Sequence, residues 1–306
     1  LQAGGCLLAI THDMAVAQAL GGQVITLGRG RGYLNILDPG EATEAAARLR
    51  EAGFEKEASQ VLADAHGRRH TMVSALLTIL RSTPPTDREE TIIDRALKHL
   101  DEHHHGVPVL GDLLRVIQDG PPEVRAVALD RGDDARYKAI TEDLEASLIG
   151  LVGGGRLGET FARQTTNPMR RDAPVVYDVS AIDDSEMDLQ AATLLACWSA
   201  GFGTVNVANA LADAGLEPRR PYFVILDELL RALRAGRGMV DRLAALPRRQ
   251  QHSALRRVAD GVGHQVADDA AQHDAVGYQS RIDGANAQLQ AFLGRHRLEL
   301  HLQIVQ

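Results

Sequence analysis

Cysteine, lysine and aromatic side chains are all scarce in this chain of 306 residues. The two cysteines, Cys6 and Cys197, lie far apart in sequence, which excludes a disulfide framework or a CxxC zinc site and favours reduced thiols in the cytoplasm. Aromatic residues amount to 4%, too few for the stacking platforms that bind single-stranded nucleic acid. No apolar run approaches the roughly 18 residues of a membrane helix, so we predict that the chain does not span a bilayer.

The remaining composition is that of a globular protein. Hydrophobic residues make up 44% and charged residues 24%, which excludes a disordered chain or a coiled-coil rod. A formal net charge of -8 argues against unspecific binding of nucleic acid by the whole surface. The chain starts at Leu1 without the charged and apolar segments of a secretory leader, and we expect it to be a fragment of a longer protein.

Short apolar runs and helical segments alternate near both ends of the chain. Runs typical of buried strands occupy residues 7–10, 23–27, 174–179 and 222–226, and an alternating run at 298–305 suggests one more. A long Ala-rich helix is predicted over 190–211, with Gly201 and Gly203 interrupting it. Strands that alternate with helices favour an α/β fold with a parallel sheet.

Residues 41–148 contain helical periodicity alone. Apolar residues recur at i, i+3, i+4 and i+7 in separate segments at 41–54, 55–66, 71–82, 88–103 and 109–120. Gly or Pro residues stand in the breaks, as at 84–85 and 120–122. Because predicted strands flank this stretch on both sides, we expect an all-helical block inserted into an α/β core.

The sharpest motif is YFVILDE at residues 222–228. An apolar strand that ends in Asp227 and Glu228 matches the Walker B pattern, which presents both carboxylates at the edge of a parallel sheet where ligands bind. Asp227 could hold Mg²⁺, usually through water, and Glu228 could polarise the attacking water as general base. The alternative is a strand followed by ordinary surface acids.

The phosphate-binding loop GxxxxGK, followed by Ser or Thr, is missing from the sequence. None of the three lysines, Lys56, Lys98 and Lys138, follows a glycine. Residues 153–158 instead fit the GxGxxG dinucleotide fingerprint, with Asp178 about 20 residues farther on at the end of a strand. The segment before these glycines is periodic like a helix, which favours a Gly-rich loop leaving the helical block.

Histidines spaced one helical turn apart are candidate metal ligands. His99, Glu102 and His103 form HxxEH, the inverted zinc-protease motif, with two histidines on one helix face and a possible base between them. No third ligand is evident, so the histidines also fit a role at the negative end of a helix dipole. His66 and His70 share the spacing and both interpretations.

Arginine pairs at 219–220, 248–249 and 256–257 form the basic clusters of the chain. Each pair fits a solvated helix face. Each also fits an arginine finger that reaches a neighbouring subunit's γ-phosphate, or a contact with a phosphate backbone.

Taken in order, four stretches resemble the type IV secretion and conjugal-transfer ATPases, the TraC-like motors related to HerA and FtsK. These stretches are residues 19–40, 174–199, 215–236 and 238–250. Such proteins carry an all-helical subdomain inside a RecA-like core, in line with the block at 41–148. The resemblance therefore implies an α/β fold with a RecA-like P-loop NTPase core, a mainly parallel sheet and an inserted all-α subdomain.

The resemblance also implies a division of the chain into three segments. Residues 1–40 would be the N-terminal part of the core, 41–148 the inserted subdomain, and 149–306 the remainder of the core with Walker B. The Walker A segment is expected ahead of Leu1. After Gln250 the family continues into another core strand ending in Thr-His, which this sequence lacks, so the tail is either divergent or translated out of frame.

The function implied by the resemblance is an ATP-driven motor that energises conjugal DNA or protein transfer through a type IV secretion system. Asp227 looks like the magnesium-associated Walker B residue, Glu228 like the catalytic Glu, and Arg248 like a trans-acting arginine; Leu34-Asn35 resembles a structural turn. ATP and Mg²⁺ are the implied cofactors. The implied partners are further copies in a hexamer, other secretion subunits at the inner membrane, and a DNA or protein cargo, with the motor cytoplasmic and peripheral at the membrane's inner face.

Two other functions stay open. One is an NAD(P)-dependent oxidoreductase that uses the glycines at 153–158. The other is a non-catalytic scaffold in which helical contacts remain and the ATPase core has decayed. Saturable NADH binding without a response to Mg-ATP would favour the oxidoreductase.

Overall fold

The fold is a small parallel sheet with helices between its strands. A computed structural model describes residues 6–11, 22–155, 157, 159–171, 173–183, 185–220 and 222–226. The strands in these ranges are β1 (Cys6–Thr11), β2 (Gln23–Thr26), β3 (Val175–Asp178) and β4 (Tyr222–Leu226). The helices are α1 (Ala42–Glu51), α2 (Glu55–Arg81), α3 (Asp87–His103), α4 (Leu110–Asp119), α5 (Pro122–Ala128), α6 (Asp134–Val152) and α7 (Met187–Asp213).

The four strands pair in the order β2-β3-β1-β4, and every pair is parallel. All four residues of β3 are buried, as expected for a strand that is covered on both faces and therefore reads as a continuous apolar run. The predicted parallel sheet is confirmed, and each of these strands lies within one residue of its predicted bounds. The strand predicted at 298–305 lies outside the described residues.

Sheet and helices share one hydrophobic core. Leu8 and Ile25 from the strands belong to the same buried cluster as Leu76 of α2, Ile93 of α3 and Leu148 of α6. One continuous apolar cluster thus extends from the sheet into the helices between β2 and β3. The division of the chain into a core and an inserted subdomain stays a prediction.

Helix α2 is continuous over Glu55–Arg81, although the sequence predicts two segments there. Gly67 lies near its middle, and nothing lies within 4 Å of the position of a Cβ on it. A glycine inside a helix costs about 1 kcal/mol, and burial of side chains such as Val61, Leu76 and Leu77 offsets that cost. Side-chain packing thus keeps the helix continuous where the sequence predicts a break.

Gly201 and Gly203 do not interrupt α7, contrary to the prediction. A Cβ on Gly201 would lie 2.3 Å from Cδ2 of Leu8, so the missing side chain lets the helix pack closely on β1. A Cβ on Gly203 would lie 2.6 Å from Nη2 of Arg68, whose guanidinium occupies that space. Both glycines serve close packing.

The prediction that no segment is long and apolar enough to cross a membrane is wrong for helix α7. By length and composition it qualifies, as the one such helix among the described residues. Of its most apolar stretch, 56% is buried inside the fold, where α7 packs against α1, α2 and β1. A helix at the centre of a folded core passes the same test, and this packing accounts for its apolar composition.

Candidate functional site

The carboxyl ends of the parallel strands meet at one edge of the sheet. Thr11 ends β1, Thr26 ends β2 and Asp178 ends β3. The register pairs Asp178 with Thr11 on one side and with Thr26 on the other. In open parallel sheets this edge is where ligands bind, so these three residues define the candidate site.

Asp178 is a buried, hydrogen-bonded acid at this edge. Its side chain is buried, with 1% of the residue exposed. One carboxylate oxygen accepts a hydrogen bond from Oγ1 of Thr26 at 3.1 Å, and the other accepts one from the backbone N–H of Ser180 at 3.0 Å. Both oxygens therefore have donors from the chain itself, which fits the rule that buried carboxylates are hydrogen-bonded.

The backbone after β3 is held to the neighbouring strands as well. The N–H of Val179 donates to the carbonyl of Thr11 at 3.0 Å, and the N–H of Leu27 donates to the carbonyl of Asp178 at 2.9 Å. These bonds extend both strand pairings by one step. Three strand ends are thereby fixed against one another, which is the rigidity that a ligand site on such an edge requires.

Strand β4 brings the predicted Walker B segment toward the same edge. Its last residue, Leu226, pairs with Ile10, which directly precedes Thr11. Asp227 and Glu228 follow in the sequence, and both lie outside the described residues, as does Arg248. The roles assigned to these three residues therefore stay predictions.

The glycines at 153–155 follow a helix and not the strand that precedes a dinucleotide fingerprint. That motif requires a strand before the glycines, whereas Gly153 here ends α6 as its C-terminal cap. The N–H of Gly155 turns back to the carbonyl of Gly150, at 3.2 Å. The interpretation of this segment as an NAD(P) site is wrong, because the chain leaves a helix at this point.

A cleft of about 270 Å³ lies beside the loop that follows β2. Asp38, Arg68, Tyr177 and Thr204 are among its lining residues. Burial lowers the pKa of the Arg68 guanidinium, which lies against α7. The cleft thus combines the guanidinium groups of Arg68 and Arg69 with hydroxyl and carboxylate groups.

Asn35, which also borders this cleft, has a structural role. Its amide donates to the carbonyl of Pro108 at 2.8 Å, and its side-chain oxygen accepts from the N–H of Leu37 at 3.0 Å. The side chain ties the loop after β2 to the segment before α4. The predicted structural turn at Leu34-Asn35 has this physical basis.

His66 and His70 lie on α2 and face acidic residues of α3. The two ring nitrogens of His66 lie 2.8 Å from Asp94 and 3.2 Å from Asp101, and Nε2 of His70 lies 3.1 Å from Glu90. The hydrogen bond with Asp101 raises the pKa of His66; burial acts against this shift, and Asp94 adds to it. The two histidines therefore join α2 to α3 through hydrogen bonds.

This arrangement predicts a pH-dependent stability. Because the folded pKa of His66 lies above its ordinary value of 6.5, the protonated ring stabilises the fold fully below that value and loses its contribution as the pH rises through the raised pKa. Between about pH 6 and about pH 8.5, wild type should lose more unfolding free energy than His66→Gln. Guanidinium denaturation at both pH values measures this difference.

His105→Gln is the matched control, because His105 is exposed and lies beyond the end of α3. It should follow the wild-type pH dependence. Equal losses in wild type and His66→Gln would contradict the assignment of the stabilising charge to His66.

The HxxEH residues lie at the carboxyl end of α3, as predicted. His99 and His103 stack with ring centroids 4.3 Å apart, and Glu102 is exposed. Nδ1 of His99 lies 2.5 Å from a carboxylate oxygen of Glu123 in α5. Glu123 is not predictable from the sequence, because it lies on another helix and no spacing pattern links it to the histidines.

Arg219 and Arg220 are both engaged within the chain. Arg219 forms an ion pair with Asp213, and Arg220 donates to the carbonyl of Arg171 at 3.3 Å. These contacts connect the segment before β4 with other parts of the fold. The pairs at 248–249 and 256–257 lie outside the described residues.

Comparison with known proteins gives a distant structural likeness. No protein-family model matches the chain, and no curated protein matches it. Among solved structures, the chain is similar to VirB4 of Thermoanaerobacter pseudethanolicus, with 13% sequence identity and a TM-score of 0.42. The match covers 76% of this chain and 89% of that chain.

Proposed function

We propose that the chain is part of an ATP-driven motor whose nucleotide site lies at the carboxyl edge of the sheet. The observation that carries this proposal is the register of β4. Leu226 pairs with Ile10, one residue before the edge at which Thr11 and Asp178 pair. The next two residues in the sequence are the acids of the Walker B pattern, Asp227 and Glu228.

In this proposal Asp227 holds Mg²⁺ through water and Glu228 acts as general base on the attacking water. Mg²⁺ prefers oxygen ligands and keeps several of its waters, so one carboxylate beside a nucleotide phosphate is a sufficient protein contribution. Asp178 serves as a positioning residue, since its two oxygens already accept from Thr26 and Ser180. The proposal requires a phosphate-binding loop, and the sequence of these 306 residues contains no GxxxxGK motif.

The finer part of the proposal rests on the sequence resemblance described above. The motor would be a hexamer of this chain's parent protein, with Arg248 reaching the γ-phosphate of a neighbouring subunit. It would energise transfer of DNA or protein through a type IV secretion system. It would work in the cytoplasm, docked to other secretion subunits at the inner membrane.

Magnesium-dependent ATP binding tests the site. In the full-length product of the gene, Asp227→Asn should weaken ATP binding about tenfold in the presence of Mg²⁺, about 1.4 kcal/mol, and leave binding in EDTA unchanged. We expect this loss because asparagine keeps the size of the side chain but removes the carboxylate that binds the ion. Equilibrium binding of a fluorescent ATP analogue measures both constants.

Asp119→Asn provides the control, because Asp119 is an exposed residue at the end of α4. It should bind Mg-ATP as wild type does. Unchanged Mg-ATP affinity in Asp227→Asn would argue against Asp227 as the magnesium residue. If neither wild type nor Asp227→Asn binds ATP saturably, the non-catalytic scaffold is the better account of the function.

A further inference from the structure

The end of α3 and the start of α5 bring two imidazoles and one carboxylate together. His99 and His103 lie one helical turn apart on α3, and Glu123 lies in the first turn of α5. One potential ligand atom from each residue lies within 4.8 Å of the other two. Glu102, the acid inside the HxxEH motif, is not part of this group.

Hydrogen bonding fixes which nitrogen of His103 is available. Its Nδ1 lies 3.0 Å from the main-chain oxygen of His99. A carbonyl oxygen can only accept, so Nδ1 carries the proton and the neutral ring keeps its lone pair on Nε2. A bond from the second ring nitrogen to a carbonyl is the usual way in which proteins orient a metal-binding histidine.

Charge and access also suit a cation. The side chains of His99 and Glu123 are 22% and 36% exposed, and His103 is exposed, so an ion can enter from solvent. Arg125, two residues after Glu123, forms ion pairs with Asp130 and Asp134. The carboxylate of Glu123 lies 2.5 Å from Nδ1 of His99.

We propose that His99, His103 and Glu123 bind a divalent transition metal of the zinc type. Two imidazole nitrogens with one carboxylate oxygen suit Zn²⁺, Co²⁺ or Ni²⁺, whereas Mg²⁺ and Ca²⁺ prefer oxygen ligands alone. Ligand atoms in a tetrahedral zinc site lie about 3.3 Å apart, so these side chains would rotate on binding to bring theirs from within 4.8 Å to that spacing. Water completes the coordination.

The metal would act as a clamp between helices. It joins the last turn of α3 to the first turn of α5, two helices that already pack against each other. α5 runs only from Pro122 to Ala128, so a cross-link at its start would hold a short element in place. This site is independent of the proposed nucleotide site, and neither proposal depends on the other.

Titration of the metal-free chain with Zn²⁺ tests the proposal. Isothermal calorimetry should show one site that His103→Ala removes or weakens at least about tenfold, and Glu123→Gln should have the same effect because each variant deletes one ligand. Co²⁺ should give the strong visible absorption of a four-coordinate ion in wild type and lose it in both variants.

His105→Ala is the matched control, since it removes one imidazole of the same histidine run at an exposed position outside the group. It should keep the wild-type zinc affinity. His103 is exposed, and circular dichroism should show that its variant is folded. Unchanged zinc affinity in His103→Ala and Glu123→Gln, or an equal loss in His105→Ala, would overturn the proposal and assign any binding to other residues among the twelve histidines.

Discussion

Replacing Glu228 by glutamine is expected to lower ATP turnover by the full-length protein about 10²- to 10⁴-fold while ATP binding stays unchanged. The amide keeps the size and the hydrogen-bonding oxygen of the side chain, but it has no basic group to take a proton from the attacking water. Binding is spared because the phosphates and the metal are held by other groups. A loss confined to turnover is therefore the signature of a general base.

Steady-state hydrolysis and equilibrium ATP binding, measured on the same preparation, check this prediction. Glu142→Gln is the control, since Glu142 is an exposed residue of α6 and carries the same chemical change. Wild-type turnover in Glu228→Gln would remove the Walker B assignment. Loss of binding together with turnover would indicate that Glu228 holds the ligand or the fold rather than moving a proton.

The strands of this fold were predictable from the sequence because of where they lie. A parallel strand covered on both faces needs apolar residues at every position, and β3 shows this with Val175, Val176 and Tyr177 all buried. The β-branched run at this place therefore predicts the strand almost to the residue. Its terminal acid, Asp178, also lies where expected, at the carboxyl edge.

The helices were less predictable because their breaks depend on distant contacts. Gly67 lies inside α2, and Gly201 and Gly203 lie inside α7, although each is a helix-breaking signal in sequence. At Gly201 and Gly203 the helix continues because a side chain from another element, Leu8 or Arg68, occupies the space beside the glycine. Local sequence does not contain that information.

The candidate sites divide in the same way. The motif YFVILDE predicts a strand and two acids after it, but the partners of this strand follow from the sheet order, in which β4 lies beside β1. The HxxEH spacing finds His99 and His103, whereas Glu123 is joined to them by the packing of α3 against α5. Sequence patterns thus identify site residues that lie on the same helix or strand. Site residues from other elements follow only from the tertiary packing.

The ion pair between α2 and α3 leads to the prediction with the largest effect on stability. Both terminal nitrogens of Arg69 donate to the two carboxylate oxygens of Asp101, each at 2.7 Å. The side chain of Arg69 is 6% exposed, whereas that of Asp101 is 37% exposed. Removing the acid leaves a charge buried without its partner, while removing the base leaves a carboxylate that water and His66 can reach.

Asp101→Asn is therefore expected to lower the free energy of unfolding by about 3 kcal/mol, within the range for an uncompensated buried charge. Arg69→Met, which roughly keeps the length of the side chain, should lower the free energy of unfolding by about 1 kcal/mol, because water can solvate the remaining carboxylate of Asp101. Urea denaturation of both variants measures this asymmetry. The double variant should lose less than the two single losses added, since the pair acts as a unit.

Asp94→Asn is a closely matched control for the larger effect. Asp94 has the same 37% exposure as Asp101 and also bonds to His66, but its cation is the exposed Lys98. Its loss should cost under about 1 kcal/mol, as for surface ion pairs. Equal destabilisation by Asp94→Asn and Asp101→Asn would contradict the argument, because the two sites differ mainly in whether the partner cation is buried.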